Sequence, residues 1–450
     1  MRLIARFAQE QEKYFEVITV YDLKVVKERI NKKTPILLSI AKEYPSAVWF
    51  ERKMLDDFGI KILYGTNKPS LVYHKQMVAE TYPMRKGYRK KHLLYEKPLL
   101  FSALNTSLSL GPTQAYHLES SQFRFIEKNN TMTQFNTKNF YKHRGIEKML
   151  EGLTLEEARP IVERISGSMS MAYQLAYLDI ELQASKKELP MIIKKRHLFF
   201  LELERILNHL FDMSLICQFV EFKEGAFFLM KLHEEGRELL KKLTGHRYGF
   251  STITIDGSLL SVEESDEYLF YLEQELLWFE KWISKEDYFW KKLLNQGVLL
   301  KKDIEAYGLV GLMARSVDID LDRRQNDKLY MEYDFCRASE YTGDVSARFK
   351  IRLTEIFTSL SLIKPLIKNR VFPFFIGSIM DGEYYSYIES SSGELMMYIS
   401  IKNQKIERFF LRDPSFLNAQ ILPHVMNGNL ITSLGLISKS IPLSFSASDL

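Results

Sequence analysis

At 450 residues, 46% hydrophobic and 26% charged, the chain is long enough for two or three domains with cores of their own, which excludes wholesale disorder. Its net charge of +5 is too mild to single out nucleic acid as a partner. Two cysteines, Cys217 and Cys336, stand far apart, which excludes a disulfide scaffold and an iron–sulfur cluster held by this chain's own thiolates.

The start of the chain meets charge at Arg2 and Arg6 before an apolar stretch of signal-peptide length can form. Residues 1–65 read as a small α/β unit, with strands at 15–20 and 36–40 and a short helix at 48–58. The stretch 82–98 carries Arg85, Lys86, Arg89, Lys90, Lys91 and Lys97 and reads as a basic linker or exposed arm that docks on an acidic neighbour. No strand with a stacking platform accompanies it, so RNA is not the expected partner. From Gly111 onward helical spacing dominates, over 145–163 with a break at Pro160, then 169–184, 196–221 and 259–292. A further helix over 344–363 is opened by Gly343-Asp344 and closed before Pro365. Beyond Phe372 the pattern turns strand-like, with strands at 394–401 and 405–411 joined by Asn403-Gln404. The predicted class is α+β, a central helical bundle with flanking short sheets preceded by a small α/β domain. The expected spans are 1–80, a basic linker at 81–105, and 106–450.

The longest apolar window, 198–220, is interrupted by Glu202, Glu204, Arg205 and Asp212, so no membrane span is expected. Dinucleotide, nucleoside-triphosphate, zinc-protease and nucleophile-elbow motifs are absent from the sequence. The nine histidines include no pair at metal-ligand spacing with a third ligand nearby. Glu202, Arg205, His209 and Asp212 form one polar stripe at helical spacing; it reads as a solvated or subunit-facing edge, with a buried charge network as the alternative.

Several strings carry more specific information. Gly111-Pro112, Glu119 and Phe123-Arg124-Phe125 are followed by His143-Arg144-Gly145-Ile146-Glu147-Lys148 and by Glu202, Arg205 and His209 on one helix. Thr244-Gly245-His246-Arg247, Ala314-Arg315, Thr342-Gly343-Asp344-Val345, Gly393-Glu394-Leu395 and Arg412-x-Pro414-Ser415-Phe416 follow in order. Together they resemble the large subunit of membrane-bound, formate-hydrogenlyase-type (group 4) nickel–iron hydrogenases and the 49 kDa subunit of complex I. Trp49-Phe50-Glu51-Arg52 with Asp56, Phe58, Gly59 and Ile60 is similar to the signature of complex I's 30 kDa subunit, here shortened and fused in front. The opening signature departs from the family, since Gln114 and Ala115 stand where it has His-Pro.

The resemblance implies a hydrogenase large-subunit fold and a cavity lined by two remote segments. In the hydrogenases each segment supplies two cysteines, because soft thiolates hold nickel and bridge it to iron. Here Ser166 and Met169 occupy the first pair of positions and Leu443 and Ser446 the second, so no metal is expected, and the four residues should converge in space. In complex I the vacated cavity takes the quinone headgroup between a Tyr and a His. Gly167 falls at the Tyr position, and Leu118, with His117 beside it, falls near the His position. His143 and Tyr173 are further polar residues near the cavity, with satisfied structural roles expected. By the same resemblance Glu119 corresponds to the proton-relaying glutamate, and Arg315 and Asp318 to the charged surround; Glu204 with Arg205 reads as an internal ion pair. Glu119, His117 and Arg315 are the candidate catalytic residues.

The implied function is that of a hydrophilic subunit of a complex I-like (NADH–quinone oxidoreductase) or hydrogenase-4-type membrane assembly. Electrons would come from a cluster in a partner iron–sulfur subunit, of the kind resembling the small hydrogenase subunit, and pass to quinone or another acceptor. Antiporter-like membrane subunits are the implied further partners, with the chain cytoplasmic and peripheral on the inner face of the membrane. No cofactor is expected to be held by this chain itself, and no nucleic acid. The alternative is a non-catalytic scaffold coupling an electron-transfer module to the membrane subunits.

Overall fold

The computed structural model describes residues 1–65, 70–73, 81–88, 107–113, 119–254, 265–366 and 377–450. Three antiparallel strands open the chain: β1 (Leu3–Glu10), β2 (Tyr14–Tyr21) and β3 (Val25–Asn31). A parallel pair, β4 (Ile36–Leu38) and β5 (Lys61–Leu63), is bridged by helix α1 (Ala47–Phe58), as a parallel crossover requires. Helix α1 ends at Gly59 in the left-handed conformation, and a Cβ there would fall 2.4 Å from the Tyr82 ring. The expected small α/β unit is therefore present, with β1 and β3 in addition. Its Trp49–Arg52 signature is structural: Glu51 pairs with Arg6 at 2.6 Å and accepts the Ile40 N–H.

This unit is built into the rest of the molecule. A second antiparallel sheet near the carboxy terminus contains β9 (Gly382–Ser390), β10 (Gly393–Lys402) and β11 (Lys405–Arg412). Phe7 of β1 stacks on Phe410 of β11 with ring centroids 4.1 Å apart. The buried guanidiniums of Arg408 and Arg412 donate to the carbonyls of Ala8 and Ile4. The start of the basic stretch is docked rather than extended: Arg85 donates to the Phe58 carbonyl and lies over the rings of Phe15 and Tyr82. Residues 89–98 of that stretch lie outside the described residues.

Between the two sheets the chain forms a hairpin sheet of β6 (Ser107–Leu110), β7 (Gln122–Lys128) and β8 (Thr131–Lys138), then the helices. Helices α2 (Ile146–Leu150) and α3 (Leu155–Val162) precede α4 (Ser170–Ser185), α5 (Met191–Phe219) and α6 (Lys223–Thr244). The expected break at Pro160 falls earlier. Gly152 turns the chain with φ +88°, and Thr154 with Glu157 forms a capping box that starts α3, leaving Pro160 inside it. The expected helix over 259–292 is two helices, α7 (Asp266–Ile283) and α8 (Asp287–Leu293); residues 255–264 lie outside the described residues. Short helices α9 (Lys301–Tyr307), α10 (Leu312–Arg315) and α11 (Lys328–Met331) lead to α12 (Val345–Ile363), capped by Asp344 as expected. After β11 come α13 (Pro414–Asn418), α14 (Leu422–Met426), α15 (Leu434–Ser440) and α16 (Phe445–Asp449). Helix α5 is apolar on most sides and forms the axis of the main core, with α6, α12 and α15 packed on it. Among the described residues no helix is long and apolar enough to cross a membrane.

The polar stripe on α5 is not a solvated edge. Glu202, Arg205 and His209 are buried, and only Asp212, paired with Arg352, reaches the surface. Three guanidiniums, Arg205, Arg315 and Arg324, face four carboxyl groups, Glu202, Asp322, Glu355 and Glu389. Arg315 reaches Asp322 at 3.1 Å, Glu355 at 2.8 Å and Glu389 at 2.9 Å. Arg205 pairs with Glu202 at 3.0 Å, and Arg324 with Asp322 at 2.7 Å. Burial opposes ionisation of Glu355, but Arg315 and Arg324 outweigh it and hold this carboxyl well below its usual range. Burial, reinforced by the charge of Asp322, pushes Glu389 up to about 7. The excess acid of the cluster is thereby the one group that holds its proton near neutrality.

Two glycines bring the parts together. Gly311 (φ +66°) and Gly393 (φ +131°) approach so closely that a Cβ on either would lie within 3 Å of the other's backbone. This contact seats α10 on the β9–β10 turn, which places Arg315 beside Glu389.

Removing one member of such a cluster strands its partners. Arg315→Met is expected to lower unfolding stability by about 3–5 kcal/mol, and Arg315→Lys by less. Denaturant unfolding of the purified protein checks this; an unchanged midpoint for Arg315→Met would refute the role of the cluster.

Candidate functional site

The two segments expected to converge meet directly. The turn before α4 carries Ser166, Gly167, Ser168 and Met169; the segment between α15 and α16 carries Leu443 and Ser444, with Ser446 in the first turn of α16. Ser166 Oγ lies 3.0 Å from Ser444 Oγ although 278 residues separate them. On its other side Ser166 Oγ is 3.0 Å from Ser168 Oγ. Ser444 caps α16 through the Ala447 N–H and donates its own N–H to Ser415 Oγ of α13, so its hydroxyl is fixed in place.

Glu119 closes the arrangement. Its carboxylate accepts from Ser444 Oγ at 3.2 Å, and from the Phe445 N–H and Ser446 Oγ. The four positions expected to converge all lie on the two segments that the Ser166–Ser444 contact joins. Ser166 is one bond from Ser444 and Ser446 one bond from Glu119, and Met169 is buried with Ala447 and Leu450 in one apolar cluster. Leu443 packs against the main core instead.

The string His143–Lys148 explains how the carboxy-terminal segment stays there. Arg144 donates to the carbonyls of Ile165 (2.7 Å) and Ser446 (2.9 Å), one from each segment. Its backbone N–H bonds to the Leu450 carbonyl, and His143 Nδ1 bonds to that of Asp449 at 2.7 Å. Glu147 pairs with Arg408 of β11 at 2.8 Å. Burial pushes the Asp449 carboxyl up to about 7.

Other polar groups around these segments are also placed by structure. Tyr173 donates to Asp413 at 2.8 Å, so both it and His143 have the structural partners expected of them. Asn208 of α5 bridges the Ser168 carbonyl and Ser391 Oγ. Glu204 does not pair with Arg205, which bonds Glu202. Its carboxyl instead accepts the N–H groups of Met171 (2.7 Å) and Ala172 at the start of α4. Burial nonetheless pushes it up to about 8. Gly167 has the ring of Tyr248 beside it: a Cβ at 167 would lie 3.2 Å from Tyr248 Cδ1, so a tyrosine from the loop after α6 fills that space.

Arg315 does not join this group. It belongs to the buried charge cluster, in which no group bonds Glu119 among the described residues. Asp318 lies apart from it, bonded to the surface-facing Arg337 at 3.0 Å. His117 lies outside the described residues. Sequence reasoning passed over Ser168 and Ser444, since neither stands at a cysteine position, and serines carry no local signal of what faces them.

The donor set does not fit a nickel–iron group. Two hydroxyls, a thioether and an alkyl side chain replace four thiolates, and both hydroxyls are hydrogen-bonded to protein.

The profile described as "Respiratory-chain NADH dehydrogenase, 49 Kd subunit" matches residues 223–373 and 376–449. The chain belongs to this family. Residues 3–92 match the corresponding 30 Kd subunit, so the two units are fused in one polypeptide. Formate hydrogenlyase subunit 5 of Escherichia coli is 24% identical, over 94% of this chain and 79% of its own. The C/D component of the NADH-quinone oxidoreductase of Phocaeicola vulgatus is 24% identical over 83% of this chain and 79% of its own. The membrane-bound sulfane sulfur reductase, an archaeal respiratory membrane complex, contains a chain of the same fold, with TM-score 0.71 and 20% identity; the match covers 76% of this chain and 98% of that one. The chain is a subunit of an oxidoreductase in the complex I and hydrogenase family, as its motifs implied.

The 49 kDa-type core also has a pH signature. The folded-state pKa of Glu204 is above the unfolded one, so the folded state holds an extra proton between about 4.5 and 8, and stability falls as pH rises through that window. Glu204→Gln is expected to remove this part of the fall, changing the mutant-minus-wild-type stability by about 3–5 kcal/mol between pH 5 and pH 9 in favour of the mutant. Parallel denaturation curves at the two pH values would contradict it.

Proposed function

We propose that this chain accepts electrons from an iron–sulfur partner subunit and passes them, without a nickel–iron centre, to quinone or another small acceptor bound in the cavity that the resemblance implies, beside Ser168. The observation that carries this reading is the direct contact of Ser166 with Ser444, and of the carboxy-terminal serine segment with Glu119. The architecture that brings the two segments face to face is kept where the thiolates are gone. The relatives' names supply the acceptor classes, quinone in one group and sulfane sulfur in the structural neighbour. Tyr248 beside Gly167 adds an aromatic ring and phenol at the cavity edge, suited to a planar headgroup. In this reading the chain is peripheral on the cytoplasmic face and reaches the membrane through antiporter-like subunits. Glu119 is the proton-handling group, His117 its candidate neighbour, and Arg315 supports the site from the buried cluster.

The scaffold reading has one observation in its favour. Tyr173 and His143, two further polar side chains of this region, both have structural partners. Purification of the tagged chain from detergent-solubilised membranes separates the two readings. The expected result is co-purification of a cluster-containing subunit whose electron paramagnetic resonance signal, after reduction by dithionite, is reoxidised by a water-soluble benzoquinone or by polysulfide. Clusters that co-purify and are reoxidised by neither would leave the scaffold reading in possession.

A further inference from the structure

The serines at the cavity form a continuous line of hydroxyls. From Glu119 the line runs to Ser444 Oγ at 3.2 Å, to Ser166 Oγ at 3.0 Å, and to Ser168 Oγ at 3.0 Å, with Ser446 Oγ as a side donor to the same carboxylate. Ser166 and Ser444 are buried, whereas Glu119 at one end and Ser168 at the other are half-buried. A hydroxyl both donates and accepts, so such a line can be polarised in either direction. Threonine at positions 166 and 444 would keep this capacity, and alanine would remove it. Loss of a cysteine ligand at position 166 alone would not require a hydroxyl there, since alanine or glycine would fit the same space.

We propose that Ser444, Ser166 and Ser168 are a proton relay that connects Glu119 to the acceptor bound beside Ser168. The inference rests on the acceptor reading above. Each transfer begins with the Glu119 carboxyl protonated. Glu119 gives its proton to Ser444 Oγ, Ser444 gives its own to Ser166, Ser166 to Ser168, and Ser168 to the acceptor. Every serine gains one proton and loses one, and Glu119 is left as carboxylate to be reprotonated from solvent. The passage leaves the three hydroxyls pointing toward Glu119, the polarity in which Ser444 donates to the ionised carboxylate; once Glu119 is reprotonated, their rotation turns the line back toward the acceptor. With a benzoquinone, two such passages and two electrons from the partner's iron–sulfur cluster give the hydroquinone, so charge and atoms balance. Ser166 and Ser444 touch no substrate and are positioning residues for the proton.

The test uses the whole complex, reduced by dithionite and reoxidised by a water-soluble benzoquinone, with polysulfide as a parallel probe. Ser166→Ala and Ser444→Ala are each expected to lower kcat by roughly 10–100-fold while leaving KM within about twofold, since positioned proton transfer contributes on this scale. The slowdown should come with a larger solvent isotope effect in deuterium oxide, and Ser444→Thr, which keeps the hydroxyl, should restore both. Alanine variants with wild-type kcat and isotope effect would overturn the relay. So would a loss that threonine does not rescue and that is equal in both solvents, since that marks a structural role. If the wild-type complex reoxidises with neither probe, it is the acceptor reading that has failed, and the relay falls with it.

Discussion

Arg315 holds three carboxyl groups at once, and the rest of the architecture is arranged so that it can. Asp322 comes from the loop after α10, Glu355 from α12 and Glu389 from β9, while Arg205 of α5 donates to the backbone carbonyls of Glu389 and Ser390. Four elements remote in sequence are thus tied at one buried point. Ion pairs in such a place have a large desolvation cost, and apolar residues of equal volume would stabilise the fold as well or better. What the cluster provides is a fixed register between the long helix and the carboxy-terminal sheet, because a slip of either would leave several charges unpaired in the interior. The contact of Gly311 with Gly393 is the steric side of the same constraint.

The serine–glutamate group depends on that register. Helix α5 carries, within two turns, both Arg205 of the charge cluster and Asn208, whose amide spans from Ser391 to the Ser168 carbonyl. Glu204 on the same turn holds the first backbone N–H groups of α4. The turn bearing Ser166 is therefore located by the same helix that anchors the ion cluster, and Arg144 then draws the carboxy-terminal segment to it from the opposite side. Once both are in place, Glu119 and the serines form their bonds with little further ordering. With two hydroxyls, a thioether and an alkyl group at the four positions, this frame lacks the soft ligands a nickel–iron group needs.

Much of this was legible in the residues, for reasons that differ from place to place. Helix α12 was visible because Asp344 and Pro365 mark its ends, and the β10–β11 hairpin because Asn403-Gln404 separates two apolar runs. The convergence of Ser166 with the terminal segment followed from the family resemblance, which no local pattern could have supplied. The α5 stripe was misread because charges at helical spacing look alike whether they meet water or Arg315 and Glu355, and those partners lie far along the chain. The pairing of Glu204 was misassigned for a related reason: Arg205 is its neighbour in sequence, but successive helical residues point in different directions, and Glu202 one turn back shares Arg205's face. Ser168 and Ser444 gave no signal, since a serine's role is set by what faces it.

On this reading a hydrogenase-type cavity has become a hydroxyl and carboxyl site for a small acceptor. Elemental analysis of the intact complex, purified from membranes without added metal, tests that change most directly. Iron at the stoichiometry of the partner's clusters with nickel well below one atom per chain is the predicted result. Nickel at one atom per copy of this chain would contradict it, because Ser166, Met169, Leu443 and Ser446 would then be holding a metal for which their side chains are the wrong ligands.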